Sequence, residues 1–503
     1  MSACSPSETR RGTFAALAVT AGDDAAPLDL LVAGGGIVGA GVARDAAMRG
    51  MRVALVEARD FAFGTSSRSS RLLHGGLRYL EQGRVGLVHE ASVEKKTVHA
   101  IAPHLGEPLG FIFPVYAGGR PMWQMRLGVK IYDLLCNGRN FRPSRGFTAA
   151  ETVALLPQIA TNGLRGSVRY YDALTNDARL VIDTLRSAAA AGARVLNYAP
   201  LLNASRDSDG KTWLCEIGDT APGTGGDGTG TAAVTRVRAR AILNAAGPWA
   251  EHMPRCGVKL RLTKGVHIVV PRDRLTVGTG EAVTLVEGKR ILFVIPWGER
   301  LVIGTTDTDY DGDPATVAPD AADIDYILRA ANATFPAAAL APADVIGAWA
   351  GVRPLIANRD GSPSDTSRAH KITNPDAGWW DIAGGKLTTY RLMAEQAVDK
   401  IARFLETTGG GVGGGAKFRP CRTAAEPLLP AGDPAVAAGY TGIVPPPVTP
   451  EAVRHYVANE WALTVEDIVV RRAGWLHYHR DFSAHEPEIA RWLAAATATT
   501  TGA

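Results

Sequence analysis

Short apolar runs interrupted by glycines open the regular part of the sequence. Residues 28–33 are apolar apart from Asp29, which predicts a buried parallel strand. A glycine-rich stretch follows, and residues 42–50 then have the pattern of a helix that Gly50 ends. Residues 52–57 predict a second strand. A strand, a glycine turn, a helix and a strand form a βαβ unit, which indicates an α/β fold.

Similar patterns recur further along the chain. We expect a helix at 184–191, strands at 193–196 and 241–247, and helices at about 450–461 and 464–475. Two tracts of small polar residues interrupt them, a surface hairpin loop at 218–231 and a flexible linker at 407–415.

Composition and charge exclude several classes of protein. The 503 residues are 46% hydrophobic and 21% charged, which is typical of a globular protein with two or three domains. A net charge of +4 is too small to indicate nucleic-acid binding. The five cysteines form no C-x-x-C pair, so we expect no disulfide framework, no metal site and a reducing compartment. No apolar run is long enough to span a bilayer.

The first 27 residues weakly resemble an export signal. Arg10 and Arg11 precede a short alanine-rich stretch from Phe14 to Ala21. Because that stretch is so short, we expect residues 1–27 to be a disordered extension.

The glycine turn has the spacing of a dinucleotide-binding motif. Gly34 permits a tight turn, Gly36 lets backbone N–H groups approach a pyrophosphate, and Gly39 lets the helix pack closely on the strand. Glu57 lies 18 residues after Gly39, at the end of the second strand, where its carboxylate can accept the ribose hydroxyls. These features predict a dinucleotide cofactor without distinguishing FAD from NAD.

A second polar segment follows the βαβ unit. The hydroxyl-rich run at 65–70 offers hydrogen-bond donors to cofactor phosphate and to a flavin ring, although a solvated loop has the same composition. Gly75 and Gly76 would let the backbone approach a flat ring, and Arg78 and Tyr79 would face a substrate.

A third polar segment lies near residue 385. A predicted strand is followed by Gly384, Gly385 and the start of a helix, and Lys386 lies at the N-terminus of that helix. Such a helix N-terminus stabilises the negative charge of a reduced flavin, and the alternative is a capped helix with a surface lysine.

These segments together resemble the FAD-dependent, quinone-linked glycerol-3-phosphate dehydrogenases. The resemblance covers about residues 28–405, and the motifs that carry it are Asn244–Trp249, Gly265–Pro271, Phe293–Trp297, Gly304–Asp307, Gly351–Leu355 and Gly384–Arg391. It implies an α/β fold with a Rossmann-like FAD-binding domain of the glutathione-reductase type, an inserted α+β substrate domain and a small helical C-terminal domain. The implied boundaries are 28–110, 175–262 and 345–405 for the FAD-binding parts, 111–174 and 263–344 for the substrate parts, 406–416 for the linker and 417–503 for the C-terminal domain.

The resemblance also implies a reaction. sn-Glycerol 3-phosphate would be oxidised to dihydroxyacetone phosphate by hydride transfer to flavin N5, and a membrane quinone would take the electrons. Arg78, Arg353 and Arg368 match the family's substrate-binding arginines, whose planar forks suit a phosphate dianion. His267 is the candidate base, because imidazole is poised near neutral pH, and a structural histidine in a strand is the alternative. The other implied substrate-site residues are Tyr79, Thr306, Asp307 and Lys386.

The implied cofactor is FAD, and the resemblance assigns its contacts to the segments described above. The implied FAD-binding residues are Gly34, Gly35, Gly36, Ile37, Val38, Gly39, Glu57, Ala58, Thr65, Ser66, Ser67, Ser70, Leu72, His74, Gly75, Gly76, Ala246, Gly247, Trp249, Gly384, Gly385, Lys386, Leu387 and Thr388.

The segment 120–135 combines apolar, aromatic and basic residues. Met122, Met125, Val129 and Tyr132 recur at helical spacing beside Trp123, and Arg120, Arg126 and Lys130 supply positive charge. This pattern indicates an interfacial helix on anionic lipid, at the cytoplasmic face of the plasma membrane. The alternative is an amphipathic helix packed on the body of the protein.

The sequence departs from the family pattern at a few places and leaves rival functions open. Val266 and Ala350 stand where the family commonly has serine, and the C-terminal segment, through which a homodimer is implied, is short. The rivals are an oxygen-dependent oxidase, a related 2-hydroxy acid or amine dehydrogenase, and a non-catalytic nucleotide-binding module.

Overall fold

Two β-sheets organise the fold, which we describe from a computed structural model. The described residues are 6–22, 25–138, 140–208, 210–222, 233–275, 280–288, 290–357, 370–409 and 417–499. The strands in chain order are β1 (Leu28–Ala33), β2 (Val53–Val56), β3 (Leu72–Leu73), β4 (Glu107–Tyr116), β5 (Arg145–Thr148), β6 (Leu164–Leu174), β7 (Arg194–Leu196), β8 (Leu201–Arg206), β9 (Trp213–Asp219), β10 (Ala233–Asn244), β11 (Leu260–Pro271), β12 (Ala282–Glu287), β13 (Arg290–Trp297), β14 (Arg300–Gly304), β15 (Thr308–Asp309), β16 (Gly347–Ile356), β17 (Lys371–Asp376) and β18 (Trp379–Ala383).

Helices cover both sheets and form the C-terminal end of the chain. In chain order they are α1 (Pro6–Ala18), α2 (Ile37–Met48), α3 (Val85–Ile101), α4 (Met122–Leu135), α5 (Ala149–Leu155), α6 (Asp177–Ala190), α7 (Ala321–Thr334), α8 (Tyr390–Thr407), α9 (Pro434–Ala437), α10 (Pro450–Asn459), α11 (Trp475–Tyr478) and α12 (Glu486–Thr499). Among the described residues, no helix has the length and apolar character needed to cross a bilayer.

The first sheet has a parallel centre in the order β18-β10-β1-β2-β7. Every residue of β1 is buried, as expected for a strand covered on both faces. Ala33 at the end of β1 pairs with Asn244 of β10 and Val56 of β2, so the carboxyl ends of three strands meet at one edge. This sheet, with α2 between β1 and β2, confirms the predicted βαβ unit. Helix α2 begins at Ile37, earlier than the predicted Val42, because it starts directly after the glycine turn.

The second sheet is a mixed sheet in the order β15-β11-β14-β13-β12-β4-β6-β3, and its neighbours are antiparallel except for β12 and β4. Strand β16 pairs with β11, and β3 pairs with β6. Both β3 and β16 lie in segments that the sequence assigns to the FAD-binding parts. They therefore carry residues such as Leu72 and Arg353 to the junction of the two sheets. The α/β fold with a second, substrate-side sheet is confirmed.

The N-terminal residues are ordered by contacts with the first sheet. The Arg10 guanidinium donates to the carbonyl oxygens of Asn197 and Tyr198 at 2.7 and 3.1 Å and pairs with Asp219 at 2.7 Å. Leu17 is fully buried on the same helix. The expectation of a disordered extension is therefore wrong for α1. Composition alone did not reveal it, because the partners of Arg10 lie almost 200 residues away.

The C-terminal domain has its own apolar core and is joined to the first sheet by buried ion pairs. Arg179 of α6 donates to Glu460 at 2.7 Å, and Arg472 donates to Asp60 at 2.8 Å. All four side chains are buried. The second predicted helix of this domain is instead a π-helical segment, Asp467–Arg472, followed by α11. Residues 410–416 of the predicted linker lie outside the described residues.

We predict that Glu460→Gln destabilises the attachment of the C-terminal domain. The substitution keeps the shape of the side chain but leaves the buried Arg179 guanidinium without a full counter-charge, which costs about 3–5 kcal/mol. Denaturant titration with a probe in the C-terminal domain measures this loss.

The matched control is Glu451→Gln, which removes the exposed pair with Arg454 on α10. That pair is surrounded by water, so its loss changes the unfolding free energy by no more than about 0.5 kcal/mol. Equal effects of the two substitutions would contradict the structural role of the buried pair.

Candidate active site

A cavity of about 1110 Å³ is bordered by residues of both sheets. Gly34 and Glu57 line it from the first sheet, and His267 and Arg353 line it from the second. Sites for small molecules commonly enclose roughly 300–1,000 Å³. The cavity therefore has room for a large cofactor together with a smaller molecule.

The glycine turn at one end of the cavity leaves no room for side chains. A Cβ atom on Gly34 would lie 2.4 Å from the Ala245 carbonyl oxygen, and one on Gly39 would lie 1.9 Å from the Gly34 carbonyl oxygen. Gly34 also has a φ of +120°, which disfavours other residues. The first residues of α2, Ile37 and Val38, consequently line the cavity at a helix N-terminus, where backbone N–H groups favour an anion.

Glu57 stands beside this turn. Its two carboxylate oxygens accept hydrogen bonds from the backbone N–H groups of Gly35 at 2.7 Å and Arg59 at 2.8 Å. Burial raises the pKa of the Glu57 carboxyl, and these two donors oppose the rise. A carboxylate oxygen accepts more than one hydrogen bond, so Glu57 retains capacity for ribose hydroxyls.

At another part of the wall, the loop at Gly75 and Gly76 meets the turn at 384–388. The His74 N–H donates to Thr388 Oγ1 at 3.0 Å, and Lys386 Nζ lies 4.0 Å from the centroid of the Tyr79 ring. Gly384 and Gly385 both have positive φ. Helix α8 begins only at Tyr390, after a short 3-10 turn, so the predicted helix start lies a few residues later than expected.

Arg353, on β16, is a polar residue with which the second sheet lines the cavity. Its guanidinium donates to Asp307 Oδ1 and to Thr305 Oγ1, both at 3.0 Å. A Cβ atom on Gly265 of the neighbouring strand would lie 2.3 Å from the guanidinium, so the glycine makes space for it. Arg78 and Lys386 line the same cavity, so cationic side chains from three chain segments border it.

His267 is almost completely buried in β11. Its Nε2 shares a hydrogen bond of 2.8 Å with Ser70 Oγ, and its ring stacks on Trp349 at a centroid distance of 5.3 Å. Burial, with the positive charges of Arg353 and Arg71, lowers the pKa of His267 to about 3. The imidazole is therefore neutral at physiological pH.

Most of the residues predicted for the site line this single cavity. They are Gly34, Gly36, Ile37, Val38, Glu57, Ala58, Thr65, Ser66, Ser70, Leu72, His74, Gly76, Arg78, Tyr79, Ala246, Gly247, Trp249, His267, Asp307, Arg353, Gly384, Gly385, Lys386, Leu387 and Thr388.

Five predicted residues, Gly35, Gly39, Ser67, Gly75 and Thr306, lie behind the cavity wall. These residues contact neighbouring parts of the protein. Thr306 Oγ1, for example, accepts a hydrogen bond from the Val266 N–H at 3.0 Å. Arg368 lies outside the described residues.

The sequence interpretation missed two groups of residues at the cavity. Arg59 and Arg68 line it, and their guanidinium carbons lie 4.5 and 5.4 Å from the Phe63 ring centroid. Arg59 follows the second strand closely and Arg68 lies within the hydroxyl-rich run, so their positions in the sequence were an available signal. Asp172 also lines the cavity and is bonded to Lys95 at 2.9 Å. No local pattern predicts that pair, because the two residues come from distant elements.

Helix α4 borders the cavity with apolar side chains. The face of this helix that the sequence predicted to be interfacial is the wrong one. Met125, Val129 and Tyr132 are buried against the body, so this stripe does not face outward. The opposite face exposes four apolar side chains, Trp123, Leu127, Ile131 and Leu134, at 68%, 53%, 39% and 69% of their surface. Both faces of the helix are apolar, and periodicity alone did not distinguish them.

Two of the three basic residues predicted for this segment have partners within the protein. Arg120 pairs with Glu81 at 2.5 Å, and Lys130 donates to the Ser144 carbonyl oxygen at 2.7 Å. Leu127 and Ile131 line the cavity as well as the exposed face. The cavity therefore reaches the surface beside α4.

These features fit FAD. The turn at Gly34 is a cradle that a Cβ atom would fill, α2 presents its N-terminus to a pyrophosphate, and Glu57 has capacity for a ribose. Farther along the same cavity, Gly76 and the turn at 384–388 form a wall of exposed backbone for a flat ring.

Comparison with known proteins agrees with this geometry. Residues 29–389 match the family model described as FAD dependent oxidoreductase. Glycerol-3-phosphate dehydrogenase 2 of Mycobacterium tuberculosis is 43% identical over 383 residues, which cover 75% of this chain and 63% of the relative. The chain thus spans 63% of the length of that relative. Aerobic glycerol-3-phosphate dehydrogenase of Staphylococcus epidermidis is 37% identical over 401 residues, covering 78% of this chain and 70% of the relative.

Solved structures give the same result. The crystal structure of glycerol-3-phosphate dehydrogenase from Bacillus halodurans complexed with FAD matches with a TM-score of 0.72 and 29% identity, covering 97% of this chain and 93% of that chain. The L-alpha-glycerophosphate oxidase of Mycoplasma pneumoniae shares the fold with a TM-score of 0.60 at 17% identity, covering 80% of this chain and 99% of that chain. The chain therefore belongs to the FAD-dependent oxidoreductases and, among them, to the glycerol-3-phosphate dehydrogenase family, and its cofactor is FAD.

Proposed function

We propose that this chain oxidises sn-glycerol 3-phosphate to dihydroxyacetone phosphate and passes the electrons to a membrane quinone. The observation that carries the proposal is that three cationic side chains, those of Arg78, Arg353 and Lys386, line the cavity that also contains the FAD cradle. The names of the mycobacterial and staphylococcal relatives support the same substrate.

These three cationic side chains suit a phosphorylated substrate better than a simple 2-hydroxy acid or amine. A phosphate dianion accepts several charge-assisted hydrogen bonds, and guanidinium groups bind its oxygens in pairs. Arg353 is held by Asp307 and Thr305 before any ligand arrives, which reduces the entropy lost on binding. Arg78 and Lys386 also line the cavity.

His267 is the group to which we assign the hydroxyl proton of the substrate. Ser70 and Trp349 hold its ring in place, and the ring is neutral and thus able to accept a proton. Burial is the largest cause of its low pKa, which lies well below the near-neutral value expected from the sequence, and Arg353 lowers it further. A phosphate dianion bound to Arg353 would offset the charge of Arg353 but not the larger effect of burial. FAD, when present, supplies the acceptor of the substrate's hydride.

The apolar end of the cavity supports a quinone rather than oxygen as the electron acceptor. Met125, Val129 and Ile291 line this end, and Leu127 and Ile131 line its mouth. Oxygen needs no such apolar passage, whereas the ring of a quinone is apolar and arrives from lipid. This feature favours the dehydrogenase over the oxidase.

The exposed face of α4 supports peripheral binding at the cytoplasmic face of the membrane. Trp123, Leu127, Ile131 and Leu134 form one apolar stripe beside the mouth of the cavity. Apolar and aromatic side chains of a surface helix enter the boundary between headgroups and acyl chains. A quinone dissolved in the bilayer would then have a short path to the cavity.

We predict that Arg353→Ala weakens substrate binding without loss of FAD. Removal of one charge-assisted phosphate contact costs roughly 1.5–3 kcal/mol, or about 10- to 100-fold in the dissociation constant. The Kd for glycerol 3-phosphate, from flavin fluorescence, and the FAD content per chain are the two measurements.

Arg261→Ala is the control for Arg353→Ala. Arg261 lies on neighbouring strand β11 and pairs with Asp309 at the surface, so its loss should leave the Kd unchanged. An Arg353→Ala chain that keeps its FAD and binds substrate as tightly as the wild type would refute the assignment.

We also predict that the double substitution Trp123→Ser with Leu134→Ser releases the protein from lipid. Loss of two large apolar side chains removes roughly 3 kcal/mol of membrane affinity, about 100-fold. Cosedimentation with vesicles of phosphatidylcholine and phosphatidylglycerol measures the partition coefficient.

Leu202→Ser is the control for this experiment, because Leu202 is also an exposed apolar residue but lies on β8 of the other sheet. It should not change vesicle binding. Undiminished binding of the double variant would exclude α4 as the membrane contact.

A further inference from the structure

The loop at Gly75 and Gly76 rests on a buried tyrosine of α4. The Gly75 N–H donates to the Tyr132 hydroxyl at 2.8 Å and, at 3.3 Å, to Asp172 Oδ1. A Cβ atom on Gly75 would lie 2.5 Å from the Tyr132 hydroxyl oxygen and 2.3 Å from Ser92 Oγ. The glycine is therefore needed for this close approach, and the loop cannot move toward α4.

The Tyr132 hydroxyl acts as donor and acceptor at the same time. It donates to Asp172 Oδ1 at 2.5 Å while it accepts the Gly75 N–H. Burial, with the negative charge of Asp172, raises the pKa of Tyr132 well above its usual value. The phenol therefore keeps its proton, which it donates to Asp172, and its oxygen accepts the hydrogen bond from the Gly75 N–H.

A fully buried lysine orients the carboxylate behind the tyrosine. Lys95 Nζ donates to Asp172 Oδ1 and to the Tyr171 carbonyl oxygen, both at 2.9 Å, and to Asn140 Oδ1 at 3.1 Å. These acceptors use all three protons of the ammonium group. A charged pair satisfied in this way holds one geometry, because any other leaves a buried charge without partners.

The loop is also held from its other side. The preceding amide, His74 N–H, donates to Thr388 Oγ1 at 3.0 Å in the turn that borders the cavity. Two successive backbone amides are therefore bound to two different elements. The peptide that follows, at Gly76, has a φ of +79° and lines the cavity.

We propose that Tyr132 is a positioning residue for FAD. Its hydroxyl, oriented by the Lys95–Asp172 pair, fixes the position of the Gly75–Gly76 loop, so that the backbone at Gly76, which lines the cavity, would contact the flavin ring. This role depends on FAD as the cofactor and is independent of the substrate and of the electron acceptor.

The test is Tyr132→Phe, which removes one oxygen atom and keeps the ring that packs on Tyr170. The Gly75 N–H then has only its longer contact with Asp172. We expect the Kd for FAD, measured by reconstitution of the FAD-free chain, to rise about tenfold. The visible absorption bands of the bound flavin should shift as well, which a change in global stability alone would not cause.

Tyr456→Phe is the matched control. Tyr456 is fully buried in the C-terminal domain and donates to the Tyr440 carbonyl oxygen at 3.0 Å. This variant should lose stability while its FAD affinity and flavin spectrum remain those of the wild type. A Tyr132→Phe chain with wild-type FAD affinity and spectrum, whatever its melting temperature, would overturn the proposal.

A second measurement needs no variant. In hydrogen–deuterium exchange of the FAD-loaded wild type, the proposal requires slow exchange of the Gly75 amide, as slow as that of the strand amides of β6. Exchange at the rate of an exposed loop would show that the loop is not fixed by Tyr132. Loss of substrate oxidation with normal results in these measurements would instead count against the proposed reaction.

Discussion

A Cβ atom on Gly39 would meet the Gly34 carbonyl oxygen, and one on Gly34 would meet the Ala245 carbonyl oxygen, so neither position has room for a side chain. These close approaches let the chain turn from β1, which ends at Ala33, into α2, which begins at Ile37, beside the end of β10. The N-terminus of α2 and the carboxylate of Glu57 then face one cavity. The position of the cofactor, and with it that of every other group in the cavity, depends on these backbone contacts.

The second sheet supplies cavity-lining side chains that the dinucleotide-binding sheet does not provide. Strands β3 and β16 leave the FAD-binding segments and pair with β6 and β11, so the two sheets share the wall of the cavity. Arg353 lines that wall, and so do the apolar side chains of Met125 and Val129 from α4. In the proposed reaction the cationic side chain would bind the phosphate of the substrate, and the apolar ones would border the path of a quinone.

Local pattern predicted the parts of the structure that local chemistry decides. Strand β1, the glycine turn and Glu57 follow from the order of residues within one βαβ unit. The family resemblance, and not local pattern, implied most of the other site residues, and most of these line one cavity. The contacts of Arg10, the outward face of α4 and the Lys95–Asp172–Tyr132 group depend on partners far away in the chain. An apolar period identifies a helix but not the side that another element covers.

We propose that the flavin faces a site for a phosphorylated alcohol. Anaerobic titration of the yellow protein, followed by the visible absorbance of the flavin, tests this proposal most directly, with glycerol and a 2-hydroxy acid as controls that lack the phosphate. We expect glycerol 3-phosphate to bleach the flavin in stoichiometric amounts while the two controls leave it oxidised. A flavin that stays yellow with glycerol 3-phosphate, or that glycerol reduces equally well, would contradict it.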